Sequence, residues 1–214
     1  MFKEELEQSI GKILVSKGYK KITQGSDYVM FIKRYSEKLA FYVKCRDKRK
    51  WNQGISVEMI FTTIGTPDDG LFISGVGIRV QVLTIPDTDN NMLLRAGEKI
   101  LAMEDSLGGF DAFVLEELNN EYFQTNRLPI YRRGLLIYEI IQEDENLREA
   151  LRVLMEDVRR LIKTRKERQS YQQSHDFMEQ LPDGYFEDKG IRGLTRLDVS
   201  TFAEYIYAQC ILDI

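Results

Sequence analysis

Leu39-Ala40-Phe41-Tyr42-Val43-Lys44-Cys45-Arg46 alternates along its length. Leu39, Phe41, Val43 and Cys45 form one uniformly apolar set, while Ala40, Tyr42, Lys44 and Arg46 form a second set that turns basic towards its end. Successive side chains of a strand point to opposite faces, so this stretch reads as a strand with one buried face and one partly wet face. Ile55–Thr62 repeats the pattern, with Ile55, Val57, Met59 and Phe61 inward against Ser56, Glu58, Ile60 and Thr62. Val76–Val82 repeats it again, with Val76, Ile78, Val80 and Val82 against Gly77, Arg79 and Gln81. Tyr28–Tyr35 is apolar on both faces until Lys33 and Arg34, the pattern of a strand covered on two sides.

Short links between these runs select antiparallel pairing. Ser36-Glu37 is a hairpin-length connection, whereas a parallel crossover needs a dozen residues or more. Asn52-Gln53-Gly54 and Thr66-Pro67-Asp68-Asp69-Gly70 have turn composition. A four-stranded meander over Asp27–Thr84 is therefore expected. Its outer face, formed by Tyr42, Lys44, Arg46, Glu58, Ile60 and Arg79, is either covered by later helices or left open as a working surface.

Helices flank this core. Phe2–Lys17 carries Phe2, Leu6, Ile10, Ile13 and Leu14 at helical spacing, with Gly18 placed to end it in a left-handed conformation. After the sheet, helices are expected at Asn91–Leu107, Asp111–Phe123 and, by length, Tyr131–Gln142. Leu147, Leu151, Leu154, Val158 and Leu161 mark a helix over Asn146–Gln169, with Asn146 and Glu149 at capping-box spacing. That stripe is too short for a coiled coil and packs on its own domain, or else joins two copies through the Leu147–Leu161 face. Gln172–Gly193 reads as a long polar loop, and Asp198–Leu212 as a closing helix capped by Asp198 with Val199, Phe202, Ala203, Ile206 and Cys210 inward. The fold class is α+β in a single domain over residues 1–214. Residues 1–85 give a helix plus antiparallel sheet, and 86–214 are mostly helical.

Composition narrows the function classes. Two cysteines far apart, each on an apolar face, read as buried free thiols of a reducing compartment rather than a metal site. The opening Met1-Phe2-Lys3-Glu4-Glu5 has no signal-peptide core, and no run reaches the ~20 apolar residues of a membrane span, so a cytoplasmic protein with no membrane partner is expected. Charge is uneven. Residues 1–52 carry thirteen Lys/Arg against six Asp/Glu, and the remainder carries seventeen against twenty-eight, for the overall −4. Attraction between the two parts explains this better than a nucleic-acid partner, since an acidic protein is a poor general binder of nucleic acid.

The candidates for chemistry are local. Lys48-Arg49-Lys50-Trp51 sits between two strands, with Lys44 and Arg46 on the strand leading in. Cations beside an aromatic suit an acidic protein surface or, secondarily, phosphates with a stacked base. The plain alternative is a solvated loop whose charges protect a sheet edge. Arg159–Arg168 is a basic helix end, which the helix dipole favours by itself, with Arg160 placed to pair with Glu156. Asp68, Asp69, Asp87 and Asp89 suit turns and caps better than a metal, and a nuclease-like use of Glu58 with Lys44 has no ordered motif behind it. His175, the sole histidine, has no nucleophile elbow to serve, and Gly75-Val76-Gly77 lies inside a strand pattern rather than at a phosphate-binding turn. No catalytic residue, cofactor or metal is expected.

The opening Gly18-Tyr19-Lys20-Lys21, between the first helix and the Tyr28–Tyr35 strand, resembles bacterial domain families of unknown function. These begin with an amphipathic helix, a Gly-aromatic-Lys-Lys element and an antiparallel sheet. Some are similar to immunity proteins, which bind and neutralise a toxin. The resemblance covers residues 1–85 and supplies no catalytic residue; the expected function is a non-enzymatic protein-binding module. The expected binding surface is Lys44, Arg46, Lys48, Arg49, Lys50 and Trp51.

Overall fold

The structure is a computed structural model that describes residues 2–24, 27–64, 78–85, 90–106, 138–181, 185 and 196–214. The expected helix at 111–123, the carboxylates Asp68, Asp69, Asp87 and Asp89, the Gly75-Val76-Gly77 stretch and residues 131–137 lie outside these.

Five strands form one antiparallel meander: β1 (Lys20–Gln24), β2 (Tyr28–Arg34), β3 (Leu39–Asp47), β4 (Ile55–Thr63) and β5 (Ile78–Ile85). The four alternating runs fall in β2 to β5, but in β5 a register shift at Met59/Ile60 sets Gln81, Leu83 and Ile85 opposite the inward Met59, Val57 and Ile55, and Val82, expected inward, opposite Glu58. The additional strand β1 pairs with β2 from Lys20↔Ile32 to Gln24↔Val29 across a register shift between Lys21 and Thr23. Lys20-Lys21-Ile22-Thr23-Gln24 has one aliphatic residue, so period-two alternation is not visible in it, and an edge strand needs only one covered side. The β2–β3 link is longer than Ser36-Glu37. The N–H groups of Tyr35 and Ser36 both reach Leu39 O, and Ser36 Oγ accepts from the Lys38 and Leu39 N–H groups.

The first helix, α1, runs as Phe2–Leu6, a π-helical turn Glu7–Gly11, and Lys12–Ser16. The π turn lets the chain meet β2 at Gly11, where an added Cβ would lie 2.9 Å from Leu6 O and 3.1 Å from Phe31 Cζ. Gly18 takes φ +88°. Its N–H bonds Val15 O at 3.1 Å and that of Tyr19 bonds Leu14 O at 3.1 Å, the Schellman ending in which Leu14 and Tyr19 pack together in the core.

Both faces of the sheet are covered. On the first face, Val29, Phe31, Phe41, Val43, Val57, Met59 and Phe61 pack against α1 and α2 (Asn90–Ser106). Gly97 of α2 lets Ile10 and Ile13 of α1 approach closely. On the second face, Met30, Ile32, Ala40, Tyr42 and Ile60 join one core with the helical residues 138–143, α3 (Glu145–Lys163), α4 (Glu167–Glu179) and α5 (Arg196–Leu212). The outer face is therefore closed over Tyr42 and Ile60. Leu147, Leu151 and Val158 are buried in the same core, so the α3 stripe packs on its own chain. From Tyr205 to Ile211 every residue of α5 is buried, the behaviour of a helix packed on all sides rather than along one face.

Three helix boundaries differ from expectation. Asp144, not Asn146, caps α3: its side chain accepts from Leu147 N at 3.0 Å. The helix then breaks at Thr164–Lys166, where Arg165 takes φ +60°, and α4 continues to Glu179 through what reads as polar loop. A helix needs only one apolar stripe, and Ser174 and Phe177 supply contacts on the covered side of α4. Asp198 lies inside α5, two residues after its start. Among the described residues no helix is long and apolar enough to cross a membrane. Cys45 and Cys210 are buried free thiols, as expected, and burial pushes both up to about 12.

Candidate functional site

The β3–β4 tip is built by its backbone. The ladder ends at Asp47↔Ile55, Lys48 N bonds Gly54 O at 2.8 Å, and Arg49–Trp51 form one 3-10 turn. Asn52 (φ +57°) and Gly54 (φ +67°) are left-handed and turn the chain back into β4. Asn tolerates this conformation better than most side chains, and Gly without cost.

Asp47 organises the tip. Its carboxylate accepts from Arg49 N (3.0 Å), Nε (2.9 Å) and Nη2 (2.7 Å). The Arg49 side chain, by that hydrogen bonding, holds the Asp47 carboxyl below its usual range. Arg49 Nη1 also lies 3.7 Å from Glu5 Oε2, tying the tip to α1. The Arg49 fork is thus committed within the molecule. Lys50 and Trp51 are exposed, Trp51 by 53%, with Lys50 Nζ 4.0 Å from the centre of the indole ring. Lys48 is half-buried at the root of the turn.

Lys44 and Arg46 belong to a different environment. Lys44 is 5% exposed, with Nζ 4.7 Å from the Tyr28 ring centre, and it faces Glu58 across the β3–β4 pairing. Arg46 stands over the same ring at 5.9 Å and lies 3.6 Å from Asp27. The six residues therefore divide. Lys48, Lys50 and Trp51 form the accessible tip, Arg49 braces it, and Lys44 and Arg46 pack along the second face of the sheet.

The other conspicuous positions do internal work. Tyr19 of the Gly18–Lys21 element is fully buried, and its hydroxyl donates to Glu104 Oε2 at 2.9 Å. Burial, and then Glu104, raise its pKa. Lys33 pairs with the other Glu104 oxygen, and Lys21 pairs with Glu7 at 2.8 Å. Arg160 pairs with Asp157 rather than Glu156, whose partner is Arg152. His175 lies in α4, where its ring nitrogen and the carboxylates of Asp176 and Glu179 come within 4.8 Å of one another on the helix surface. Asp176 already accepts from Gln172 at 2.6 Å.

A concavity at the opposite end of β3, among Arg34, Tyr138, Arg148, Arg159 and Tyr205, is not announced by any motif. The one signal for it is the spacing of Arg148, Arg152 and Arg159, four and then seven residues apart, which puts three guanidinium groups on one side of a helix.

Comparison with known proteins gave no match to a family model, to a curated protein or to a solved structure.

Proposed function

We propose that this chain is a non-enzymatic, cytoplasmic protein-binding module of the immunity-protein kind, which docks an acidic partner on the β3–β4 tip. The supporting observation is Trp51: a large aromatic side chain, 53% exposed, held on a braced turn beside Lys48 and Lys50. Tryptophan and arginine anchors carry a large share of binding energy at protein interfaces, and a rigid platform lowers the ordering cost of docking. Lys44 is buried and Tyr42 and Ile60 are covered, whereas Lys50 and Trp51 at the tip are exposed. Lys50 occupies one face of the indole, leaving less of the ring for a nucleic-acid base to stack on.

Trp51 is the only tryptophan in the chain, so its fluorescence reports on the tip directly. Pull-downs from the source cell with the native chain and with Trp51→Ala are expected to share all bound proteins except the partner, which the variant loses. Adding the purified partner to the native chain then shifts the emission of Trp51 to shorter wavelength. An emission unchanged by every recovered protein, together with quenching by a single-stranded oligonucleotide, would replace this reading with nucleic-acid binding at the same tip.

A further inference from the structure

We propose that the cavity between the β2–β3 turn, residues 138–143, α3 and α5 binds a small organic phosphate, independently of the tip. It has a volume of about 350 Å³, in the range of small-ligand pockets. Four arginines line it: Arg34 from β2 and Arg148, Arg152 and Arg159 from α3. Guanidinium groups present forked N–H donors that match the oxygens of a phosphate, so a cluster of them around one cavity is a ready receptor for that group.

The case rests on unpaired donors rather than on net charge. Three of the arginines are set in place by acids. Arg34 Nη2 and Arg159 Nη2 grip the two oxygens of Asp213 at 2.7 and 2.8 Å, and Arg152 is held by Glu149 and Glu156 at 2.7 and 2.8 Å. These acids offset charge and engage three of the Arg152 donors, but take only one of the five donors of Arg34 and one of those of Arg159. Arg148 bonds only the Gln142 carbonyl, at 3.1 Å, and has no carboxylate partner among the described residues. The Nε–H of Arg159 is shielded from water and has no acceptor among the described residues. A buried donor without a partner is costly, and an incoming oxyanion would satisfy it.

Glu37, the one carboxylate in the lining among the described residues, accepts the Tyr138 hydroxyl at 2.7 Å. Burial, and then this bond, push the Tyr138 phenol up to about 12, so it remains a donor to Glu37. Leu151, Met155 and Tyr205 give the cavity an apolar wall, with the Tyr205 ring edge-on to Tyr138 at 6.3 Å. A ligand with a phosphate head and an aromatic or aliphatic body fits both halves of this lining. The concavity and the tip lie at opposite ends of β3, about 26 Å apart at ~3.3 Å per residue, so neither occupant obstructs the other.

Calorimetry with phenyl phosphate, inorganic phosphate and benzoate tests the assignment on the full chain. Phenyl phosphate is expected to bind saturably and to raise the melting temperature, with inorganic phosphate weaker for want of the apolar wall and benzoate weaker for want of oxygens. Arg148→Gln changes an exposed side chain and should weaken phenyl phosphate at least tenfold, as should Arg159→Gln. Trp51→Ala should leave it unchanged. Should Arg159→Gln fail to fold, Arg148→Gln alone decides. Absence of saturable binding, affinity unaltered in Arg148→Gln, or benzoate binding as tightly as phenyl phosphate would each overturn the proposal. Loss of partner binding in Trp51→Ala, with phenyl phosphate affinity intact, separates the two sites.

Discussion

The two faces of the sheet are closed in different ways. The first face is apolar from Leu39 to Cys45 on β3 and from Ile55 to Phe61 on β4, and it is covered by helices adjacent to the sheet in sequence, α1 and α2. The second face is apolar over Met30, Ile32, Ala40, Tyr42 and Ile60, then polar over Lys44, Arg46, Ser56 and Glu58, and its apolar half is covered by helices from far along the chain. Its polar residues engage one another and their neighbours: Lys44 and Arg46 over Tyr28, Arg46 with Asp27, Ser56 Oγ with Glu58 at 3.2 Å. A polar residue in a strand therefore does not by itself mark an open face. The alternation reports which face is uniformly apolar, while closure of the other depends on what the rest of the chain brings to it.

Neighbouring residues of β2 test that contrast most severely. Phe31 and Ile32 point to opposite faces and are both fully buried. Phe31→Ala should cost about 3–5 kcal/mol and Ile32→Ala about 2–5 kcal/mol in urea unfolding, the range for truncations that leave a cavity. If Ile32→Ala cost under ~1 kcal/mol while Phe31→Ala kept its large effect, the C-terminal helices would not be packed on the second face.

A smaller effect probes the first face alone. Gly11→Ala forces a methyl against Leu6 O and Phe31 Cζ, and overpacking of this kind costs about 1–3 kcal/mol. Retained stability would mean that α1 can lift from β2, and that its π turn is not held there by packing.

The rim of the first face carries the third test. Glu104→Leu leaves the buried Tyr19 hydroxyl without its acceptor, which should cost about 1–3 kcal/mol. Adding Tyr19→Phe removes the orphaned hydroxyl and should recover part of that loss. A double variant no more stable than the single one would place the cost in the Lys33 pair instead.

These differences in how the parts are held explain what could be read from the sequence. Strands β2 to β5, α1 with its Gly18 ending, and α2 are set by local periodicity and turn chemistry, and each was legible, except that the register shift at Met59/Ile60 reverses the expected faces of Gln81 and Val82 in β5. Strand β1 was not, because a mostly polar edge strand is fixed by its partner rather than by its own pattern. The continuation of α4 through a polar stretch and the all-round burial of α5 likewise come from tertiary packing. At the tip the residues were legible but their roles were not: Arg49 and Lys50 are alike in sequence, and only the Asp47 carboxylate separates a brace from an exposed cation. The arginine cavity draws on residues from 34 to 209, which no local window brings together.

The brace makes the last and smallest prediction. Asp47 has its pKa lowered in the folded state from 3.8, chiefly by hydrogen bonding to Arg49. A depressed carboxyl pKa contributes stability above the unfolded value, and that contribution is lost as pH falls through the folded value. The pair is partly solvated, so Asp47→Asn should cost less than ~1 kcal/mol at pH 7. Native and variant melting temperatures should converge below the lowered pKa, where the native carboxyl also becomes neutral. A gap that persists in acid would assign the cost to lost shape at the turn rather than to charge. A gap that closes would identify the ion pair as what holds the Arg49–Trp51 turn, and with it the angle at which Trp51 is presented, so partner affinity should weaken along the same pH profile.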